Sequence, residues 1–339
     1  MSRPDPTPTD IVMQLIGGPW LSQAVYVAAK LDLSEKLAAG PRTAAQLAEG
    51  SHVDAGALHR VLRALVGVGV YADAGDGRFA NTPVSEVLRI GVAGSVRDMA
   101  VMFGEDFHTR PVAALMHCVK TGQPSFDHIF GMGAFDYFRA NAEQGEIFNR
   151  AMTSFSGPNA EAVVGAYDFS GIKTLVDVGG GHGALLDRVL QATPATSGIL
   201  YDLPFVAEGA RAHFAKAATG PRVKVEQGSF FESVPAGGDA YMMKHIIHDW
   251  SDAHCEKLLA NVRKVIPKDG RLLVIEMLVP GGPAMHPSKL LDIEMLVMTQ
   301  GGRERTEAEF RALYAKAGFK LTRVVPTKGA ISVIEGSPI

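Results

Sequence analysis

Glycines and an aspartate in the second half of the chain are arranged like a nucleoside-binding turn. The segment Leu175-Val-Asp-Val-Gly-Gly-Gly-His-Gly183 runs from an apolar stretch into several glycines. Glycine adopts positive φ easily and lets the backbone approach a ligand where a side chain would collide. Asp202 lies at the end of the next apolar stretch, where an acid can accept hydrogen bonds from both hydroxyls of a ribose. Together these residues indicate a cofactor that contains adenosine.

An acid two residues before the first glycine distinguishes two classes of such cofactor. Gly179, Gly181 and Ala184 also satisfy the relaxed fingerprint of dinucleotide-binding enzymes, so an NAD-dependent oxidoreductase is one interpretation. Asp177, however, can anchor the cationic amino end of an aminobutyrate tail, whereas a dinucleotide site presents bare N–H groups to a pyrophosphate. The spacing therefore favours the sulfonium cofactor S-adenosylmethionine over NAD.

A histidine further along the chain could remove a proton from a hydroxyl. His248 follows an apolar stretch and is predicted to open a helix to which Asp252 also belongs, while Trp250 is expected to pack. The unperturbed pKa of histidine, about 6.5, suits a neutral general base, although a lone histidine in this setting is more often a capped helix start. His245 lies three residues earlier, but helical spacing does not apply across a strand end. We therefore expect the two imidazoles not to share a face, and no metal to bind them.

Alternating strands and helices must position these residues. From residue 173 onward, short buried strands are separated by helical or Gly/Pro-containing stretches, which predicts a mostly parallel, doubly wound, Rossmann-like α/β sheet. Two final apolar runs flank Lys328-Gly329 and predict a terminal antiparallel hairpin. The predicted parallel strands begin at Thr174 and then cover residues 197–203, 223–228, 239–244 and 270–278.

The first third of the chain has the pattern of a winged helix. Residues 43–70 predict a helix-turn-helix, with a near capping box at Thr43 and a helix start at Asp54, and residues 75–77 predict a hairpin turn. Residues 42–89 contain five arginines, no lysine and five acids. Since DNA-binding modules depend on phosphate neutralisation, we expect an interaction or dimerisation module rather than a DNA-binding regulator.

The middle of the chain is predicted to be mostly helical. It carries methionines and aromatics at helical spacing, a pattern typical of core that could also form the apolar wall of a ligand site. The predicted domains are therefore a winged-helix dimerisation domain (1–95), a helical connector that contributes to the substrate pocket (96–168) and a cofactor-binding catalytic domain (169–339).

Composition argues against several classes of function. A formal charge of −3 disfavours a broad nucleic-acid surface. The two cysteines, Cys118 and Cys255, have no metal or redox spacing and fit a reduced, cytoplasmic setting. Charged residues, Gly or Pro interrupt every apolar stretch before the ~20 residues that a membrane span needs. We therefore expect neither a nucleic-acid partner nor a membrane.

Six segments, in this order and spacing, resemble the plant-type, winged-helix family of S-adenosylmethionine-dependent O-methyltransferases. That family has many bacterial members that act on aromatic natural products, and the resemblance covers nearly the whole chain. It implies a homodimer that exchanges N-terminal helices, in keeping with the very apolar residues 11–31. The segments are Leu175–Gly183, Tyr201–Pro204, Gly228–Phe231, His248–Asp252, Val274–Met277 and Gly301–Thr306.

The resemblance also implies roles for residues around the cofactor. Gly179 and Asp202 would contact its methionine and ribose portions. Many family members have Asp where this chain has Ser229, so we expect a weaker hold on the adenine amino group. The other implied contacts are Ser229 and Phe230 beside the adenine, the Lys244 backbone near its edge, and Met152 and Ser156 on a helix that faces the cofactor.

For catalysis, the resemblance places Glu276 and Glu304 on either side of His248. Two buried carboxylates need hydrogen-bond or charge partners, and the imidazole of His248 is one such partner. The three residues together therefore favour a general-base role for His248 over a helix start. The predicted function is O-methylation of a hydroxylated aromatic small molecule, with His248 as base and the two glutamates orienting it. N-methylation of a heteroaromatic substrate stays open because a ring nitrogen needs no base, and an NAD-dependent oxidoreductase is the alternative from another class.

Overall fold

Contacts divide the chain into two compact units. The computed structural model describes residues 6–339, except for the side chains of residues 155, 156 and 158. The first unit runs up to Thr109 and includes Phe138–Phe155, and the second comprises Arg110–Tyr137 and Ser156–Ile339. The first is mostly helical, and the second contains the larger sheet.

The described residues form sixteen helices, ten strands and two 3₁₀ turns. The helices are α1 (Pro8–Lys30), α2 (Leu33–Lys36), α3 (Ala44–Ala48), α4 (Ala55–Gly67), α5 (Pro83–Glu86), α6 (Arg97–Gly104), α7 (Asp106–Ala113), α8 (Leu115–Thr121), α9 (Ser125–Phe130), α10 (Ala134–Ala140), α11 (Ala142–Ala166), α12 (Ala184–Ala192), α13 (Pro204–Phe214), α14 (Asp252–Val265), α15 (Pro287–Met298) and α16 (Glu307–Lys316). The strands are β1 (Arg42–Thr43), β2 (Tyr71–Asp73), β3 (Arg78–Asn81), β4 (Thr174–Val178), β5 (Ser197–Asp202), β6 (Val223–Gln227), β7 (Ala240–Lys244), β8 (Arg271–Met277), β9 (Phe319–Pro326) and β10 (Ile331–Pro338), and the 3₁₀ turns are Gly220–Arg222 and Ile247–Asp249.

The first unit contains the predicted winged helix. Thr43 closes a capping box with Gln46 at the start of α3, and the Asp54 side chain caps α4. β2 and β3 form the expected hairpin around Gly75 and Gly77, both at positive φ, and β1 completes an antiparallel sheet of order β1-β3-β2. Side-chain capping and glycine turns therefore fix the ends of these elements as the sequence predicts.

Helix α1 leaves most of its apolar side chains exposed within its own unit. Leu15 is 73% exposed and Trp20 is 77% exposed. α1 is the one helix among residues 6–339 that is long and apolar enough, by length and composition, to cross a membrane. Gly17-Gly-Pro19 interrupts the apolar stretch in the sequence as expected, but these residues do not end the helix.

The second unit is built on a seven-stranded sheet of order β6-β5-β4-β7-β8-β10-β9. β4 to β8 pair in parallel, and β10 runs antiparallel to both β8 and β9, which confirms the doubly wound sheet and its terminal hairpin. The chain adds strands outward from β4 to β6 and then returns to β7 on the other side of β4. Ligands of such sheets bind beyond the carboxyl ends of the strands at this reversal, which is where the predicted site residues follow their strands.

Candidate active site

The turn after β4 requires glycine for two separate reasons. Gly179, Gly181 and Gly183 all have positive φ (71°, 59° and 89°), a conformation that L side chains rarely adopt. A Cβ on Gly179 would also lie 2.5 Å from Ile246 Cδ1 and 3.6 Å from the Phe230 ring. The glycines thus let the turn approach the segments that follow β6 and β7.

Two acids lie at the tips of neighbouring strands beside this turn. Asp202 accepts hydrogen bonds from the Gly181 N–H (2.8 Å) and the Leu203 N–H (2.7 Å), one on each carboxylate oxygen. Burial raises the pKa of Asp202, and these backbone donors oppose the rise. Asp177 is buried in β4, and burial raises its pKa to about 7, with the Lys244 charge opposing and the Asp202 charge adding. A cationic ligand group would offset the cost of burying these carboxylates.

The other predicted cofactor residues are placed as follows. Phe230 lies beside the glycine turn, as its distance from Gly179 indicates. The Ser229 hydroxyl accepts the Phe231 N–H at 3.3 Å and so helps to close the turn after β6. Lys244 ends β7, and burial lowers its pKa against the opposing charges of Asp177 and Glu276.

Two of the predicted cofactor contacts lie outside the described part of the second unit. Met152 belongs to the first unit, where it is half-buried on α11. The side chain of Ser156 lies outside the described residues. Their roles toward the cofactor therefore stay predictions.

His248 is held between two glutamates from distant parts of the chain. Its Nδ1 lies 2.6 Å from Glu304 Oε1 and 3.6 Å from Glu276 Oε2. Glu276 is fixed in turn, because its Oε1 accepts the backbone N–H groups of Ile246, Ile247 and His248 at 2.9–3.2 Å. The predicted cluster of His248, Glu276 and Glu304 is thus present and buried.

The carboxylates change the protonation of this histidine. Burial alone would lower the pKa of His248, but Glu276, Asp249 and Glu304 together raise it to about 10. Burial raises the pKa of Glu276 to about 7, with His248 opposing. The acids thus stabilise the imidazolium, and the pKa of His248 lies above the unperturbed value that suits a general base.

Two details of this segment differ from the sequence-based predictions. His248 lies in the 3₁₀ turn Ile247–Asp249 rather than in a helix, whereas Asp252 begins α14 as expected. The imidazoles of His245 and His248 do come together, with ring centroids 5.1 Å apart. His245 has a left-handed φ of 54°, and this bend at the end of β7 is invisible to helical or strand periodicity.

This proximity removes the geometric argument against a metal. Donor atoms of His245, His248 and Glu276 lie within 4.8 Å of one another. His248 Nδ1 already pairs with Glu304, and Glu276 Oε1 already receives three N–H groups. The absence of a metal from the site stays a prediction.

A buried arginine that the sequence analysis did not single out organises the histidine segment. Arg305 donates to the backbone oxygens of Ile247 (3.0 Å) and Trp250 (2.9 Å) and makes two bonds to Asp252 Oδ1. Its sequence neighbour Glu304 binds His248. Arg305 therefore fixes the distance between the 304–305 segment and the histidine turn. The one available signal was its place in the segment Gly301–Thr306.

A third acid near the imidazole was also missed. Asp249 Oδ1 lies 3.5 Å from His248 Nε2, on the ring edge opposite the two glutamates. Its side chain is 18% exposed, whereas those of Glu276 and Glu304 are 1% and 0% exposed. The Nε2 edge is thus the accessible edge of the ring.

Comparison with known proteins decides what this arrangement is. The profile of the O-methyltransferase domain matches residues 112–320, and that of the O-methyltransferase dimerisation domain matches residues 13–89. The chain belongs to this O-methyltransferase family. It is an S-adenosylmethionine-dependent methyltransferase, and the NAD-dependent alternative is excluded.

Relatives in the family cover almost the whole chain. The phenazine O-methyltransferase of Lysobacter antibioticus is 40% identical over 98% of this chain and 96% of its own length. The phenazine-1-carboxylate N-methyltransferase of Pseudomonas aeruginosa is 35% identical over 93% of this chain and 92% of its own. An O-methyltransferase from neocarzinostatin biosynthesis, solved with S-adenosylmethionine and 2-hydroxy-5-methyl naphthoic acid, has a TM-score of 0.82 and 31% identity over 94% of this chain and 96% of its own.

Proposed function

We propose that this methyltransferase O-methylates a hydroxylated aromatic small molecule, with His248 as the general base. The observation that carries the proposal is the orientation of the imidazole. Nδ1 is bound to Glu304 in a buried contact, so the accessible Nε2 is the nitrogen that can receive a proton. The aromatic acceptor is supported by relatives whose names specify phenazine and naphthoic acid compounds.

The chain's own residues fit the cofactor. The turn approaches Ile246 so closely that only glycine fits at position 179, and the buried Asp177 is suited to the cofactor's ammonium group. Asp202 is pinned by two N–H groups, which leaves further lone pairs for ribose hydroxyls. When bound, S-adenosylmethionine would supply a methyl group that its sulfonium activates for transfer.

In the reaction, His248 must be neutral when the acceptor hydroxyl reaches it. Nε2 of His248 would accept the hydroxyl proton, and Glu276 and Glu304 would stabilise the imidazolium that results. The acceptor oxygen would then be free to receive the methyl group that bound S-adenosylmethionine would supply, with S-adenosylhomocysteine as the leaving product. Three acids around one imidazole raise its pKa and so make the neutral ring a strong proton acceptor. The rest of the rate enhancement comes from orientation, which contributes ~7–11 kcal/mol in well-aligned cases.

Substitution of the base tests the proposal. In His248→Ala, kcat/KM for a hydroxylated phenazine should fall about 10²–10⁴-fold while S-adenosylmethionine binding by calorimetry stays near that of the parent. His59→Ala, an exposed histidine on α4, is the matched control. Full activity of His248→Ala would mean that the site only positions its substrates.

N-methylation is the second candidate, because the Pseudomonas relative is an N-methyltransferase. An aromatic ring nitrogen has a free lone pair and needs no base. A ring-nitrogen acceptor that is methylated equally well by the parent and by His248→Ala would favour this candidate over O-methylation.

A further inference from the structure

Helix α15 is linked to the histidine site through the backbone of Glu304. Asp292 lies in the middle of α15, and its Oδ1 accepts the backbone N–H of Glu304 at 2.9 Å. Glu304 is buried, and its Oε1 lies 2.6 Å from His248 Nδ1. Two consecutive bonds therefore lead from the helix to the imidazole, the first to the backbone of Glu304 and the second from its side chain.

The path of the chain after α15 gives this first bond its importance. The chain turns at Gly301, which has a φ of 80°, and then runs beside the end of β8, where the Val279 N–H donates to the Arg305 oxygen at 3.0 Å. The Arg305 side chain also binds the histidine turn. These contacts fix residue 305, whereas Asp292 is bonded to residue 304 itself. A buried N–H that loses its acceptor is destabilised, so the backbone at 304 is expected to shift if Asp292 is removed.

The imidazole is surrounded by several titratable groups, and Asp292 is bonded to one of them. Glu276 from β8, Asp249 from the 3₁₀ turn and Glu304 supply the charges that raise the pKa of His248, and the ring of His245 packs beside it at the end of β7. Asp292 accepts the N–H of Glu304 and so reaches the imidazole through that residue.

We propose that Asp292 is a positioning residue of the methyl-transfer site, which holds Glu304 at the distance at which its carboxylate binds His248. It acts as a hydrogen-bond acceptor rather than as a charge. Removal of the acceptor loosens the contact between Glu304 and His248 and leaves the glycine turn after β4 as it is. This inference rests on the proposed role of His248 as the general base.

The first test removes the acceptor. In Asp292→Ala, kcat for a hydroxylated phenazine should fall about 10- to 100-fold, because a small misplacement near the reacting groups has effects of this size. KM for S-adenosylmethionine should stay near that of the parent. A weaker contact with Glu304 lowers the pKa of His248, so the base stays neutral to lower pH and the acidic limb of the pH profile should move to lower pH.

Two further variants separate position from charge and from the general order of the helix. Asp292→Asn keeps an Oδ1 that can accept the Glu304 N–H but carries no charge, so it should retain most of kcat and the parent's acidic limb. Lys289→Ala is the control on the same helix, because Lys289 Nζ donates to the backbone oxygens of Gly282 and Ala284 and not to Glu304. This variant should keep the parent's pH profile.

A double variant tests whether Asp292 acts through Glu304. In Glu304→Gln the imidazole has already lost its charged partner. Addition of Asp292→Ala to this variant should therefore change kcat and the acidic limb little further, since residues that act through one contact are not additive. Independent effects would multiply instead.

A measurement without turnover gives the same comparison. NMR titration of the His248 ring in histidine-labelled enzyme, assigned with His248→Ala, should show a lower pKa in Asp292→Ala than in the parent or in Asp292→Asn. Alanine is a strong helix former, so α15 should persist, which circular dichroism checks. If Asp292→Ala does not fold, Asp292→Leu, which has the branching of aspartate but no acceptor, takes its place.

The inference is overturned if Asp292→Ala keeps the parent's kcat and acidic limb, or if Asp292→Asn is impaired as much as Asp292→Ala. A shift of the limb in Lys289→Ala, or multiplying effects in the double variant, would also overturn it. Any of these results, with activity still lost in His248→Ala, would leave the proposed function standing. A parent enzyme that methylates a ring nitrogen but no hydroxyl would instead reject the proposed function.

Discussion

A single imidazole surrounded by three acids sets the chemistry of this site at the residue scale. The negative charges of Glu276, Asp249 and Glu304 outweigh burial and raise the pKa of His248. The same charges that make the ring a strong proton acceptor also favour its protonated form. Activity must therefore depend on pH through this group.

The first prediction removes one of these charges. A general base works only when neutral, so kcat/KM should fall as pH drops below the pKa of His248. Glu304→Gln removes an acid that raises this pKa, so the acidic limb of the pH profile should move to lower pH. Glu307→Gln, an exposed acid on α16 paired with Arg311, should leave the limb in place. A limb that does not move in Glu304→Gln means that another group titrates.

The second prediction concerns the glycine turn. Gly179→Ala forces a side chain into a left-handed φ of 71° and 2.5 Å from Ile246 Cδ1, which costs on the order of 1–3 kcal/mol. We expect S-adenosylmethionine affinity, measured by calorimetry, to fall at least about 10-fold. Gly281→Ala has open space around the new Cβ and should bind as the parent does. Equal affinity in Gly179→Ala would contradict a cofactor role for this turn.

At the scale of elements, the histidine turn depends on one arginine. Arg305 donates hydrogen bonds to the backbone oxygens of Ile247 and Trp250. Both oxygens lose this donor when the side chain is removed. The third prediction is that Arg305→Ala lowers the free energy of unfolding by about 2–4 kcal/mol and also lowers kcat, because Glu304 and His248 lose their fixed separation. Urea unfolding and turnover measure the two effects.

Arg311→Ala is the matched control for Arg305, since its side chain is exposed and pairs with Glu307. The same substitution there should change stability by less than about 0.5 kcal/mol. A similar loss in both variants would show that the effect of Arg305 is not specific to the histidine turn.

Periodicity predicted the elements but not the way their ends bend. The parallel strands and the final hairpin follow from apolar runs separated by turn residues, and the sheet then gathers Asp177, Asp202 and Glu276 at one region. The contact between His245 and His248 depends on a left-handed residue, which no periodic pattern encodes.

The sequence analysis also missed two charged side chains near His248, because charged residues are normally expected at the surface. Arginine is almost never fully buried unless paired, so nothing in the sequence except the place of Arg305 in the segment Gly301–Thr306 marked it as a structural residue. In the sequence, Asp249 is marked only as the neighbour of His248. Its position beside the accessible Nε2 edge follows from the glutamates binding the Nδ1 edge, which only the structure shows. The domain boundaries at 95 and 168 stay predictions.

For the whole molecule, the apolar surface of α1 needs an explanation. Leu15 and Trp20 are largely exposed within their own unit, and such patches mark interfaces. α1 lies mostly within the region that matches the dimerisation domain, residues 13–89. A second copy of the chain is thus the partner that the family match favours, and a membrane surface is the competing explanation from the composition of α1.

The fourth prediction separates these partners. The parent should be a homodimer in light scattering at micromolar concentration, and Leu15→Glu combined with Trp20→Glu should give monomers, because charges on both faces of an isologous contact repel each other. Met116→Glu, 63% exposed on α8 and outside the dimerisation match, should remain dimeric. A monomeric parent would contradict the dimer. Flotation of the parent with anionic vesicles, lost in the double variant, would assign α1 to a membrane surface instead. Because the substitutions replace apolar surface that already faces water in an isolated unit, the variants should keep their helical circular dichroism, so a lost dimer can be separated from a lost fold.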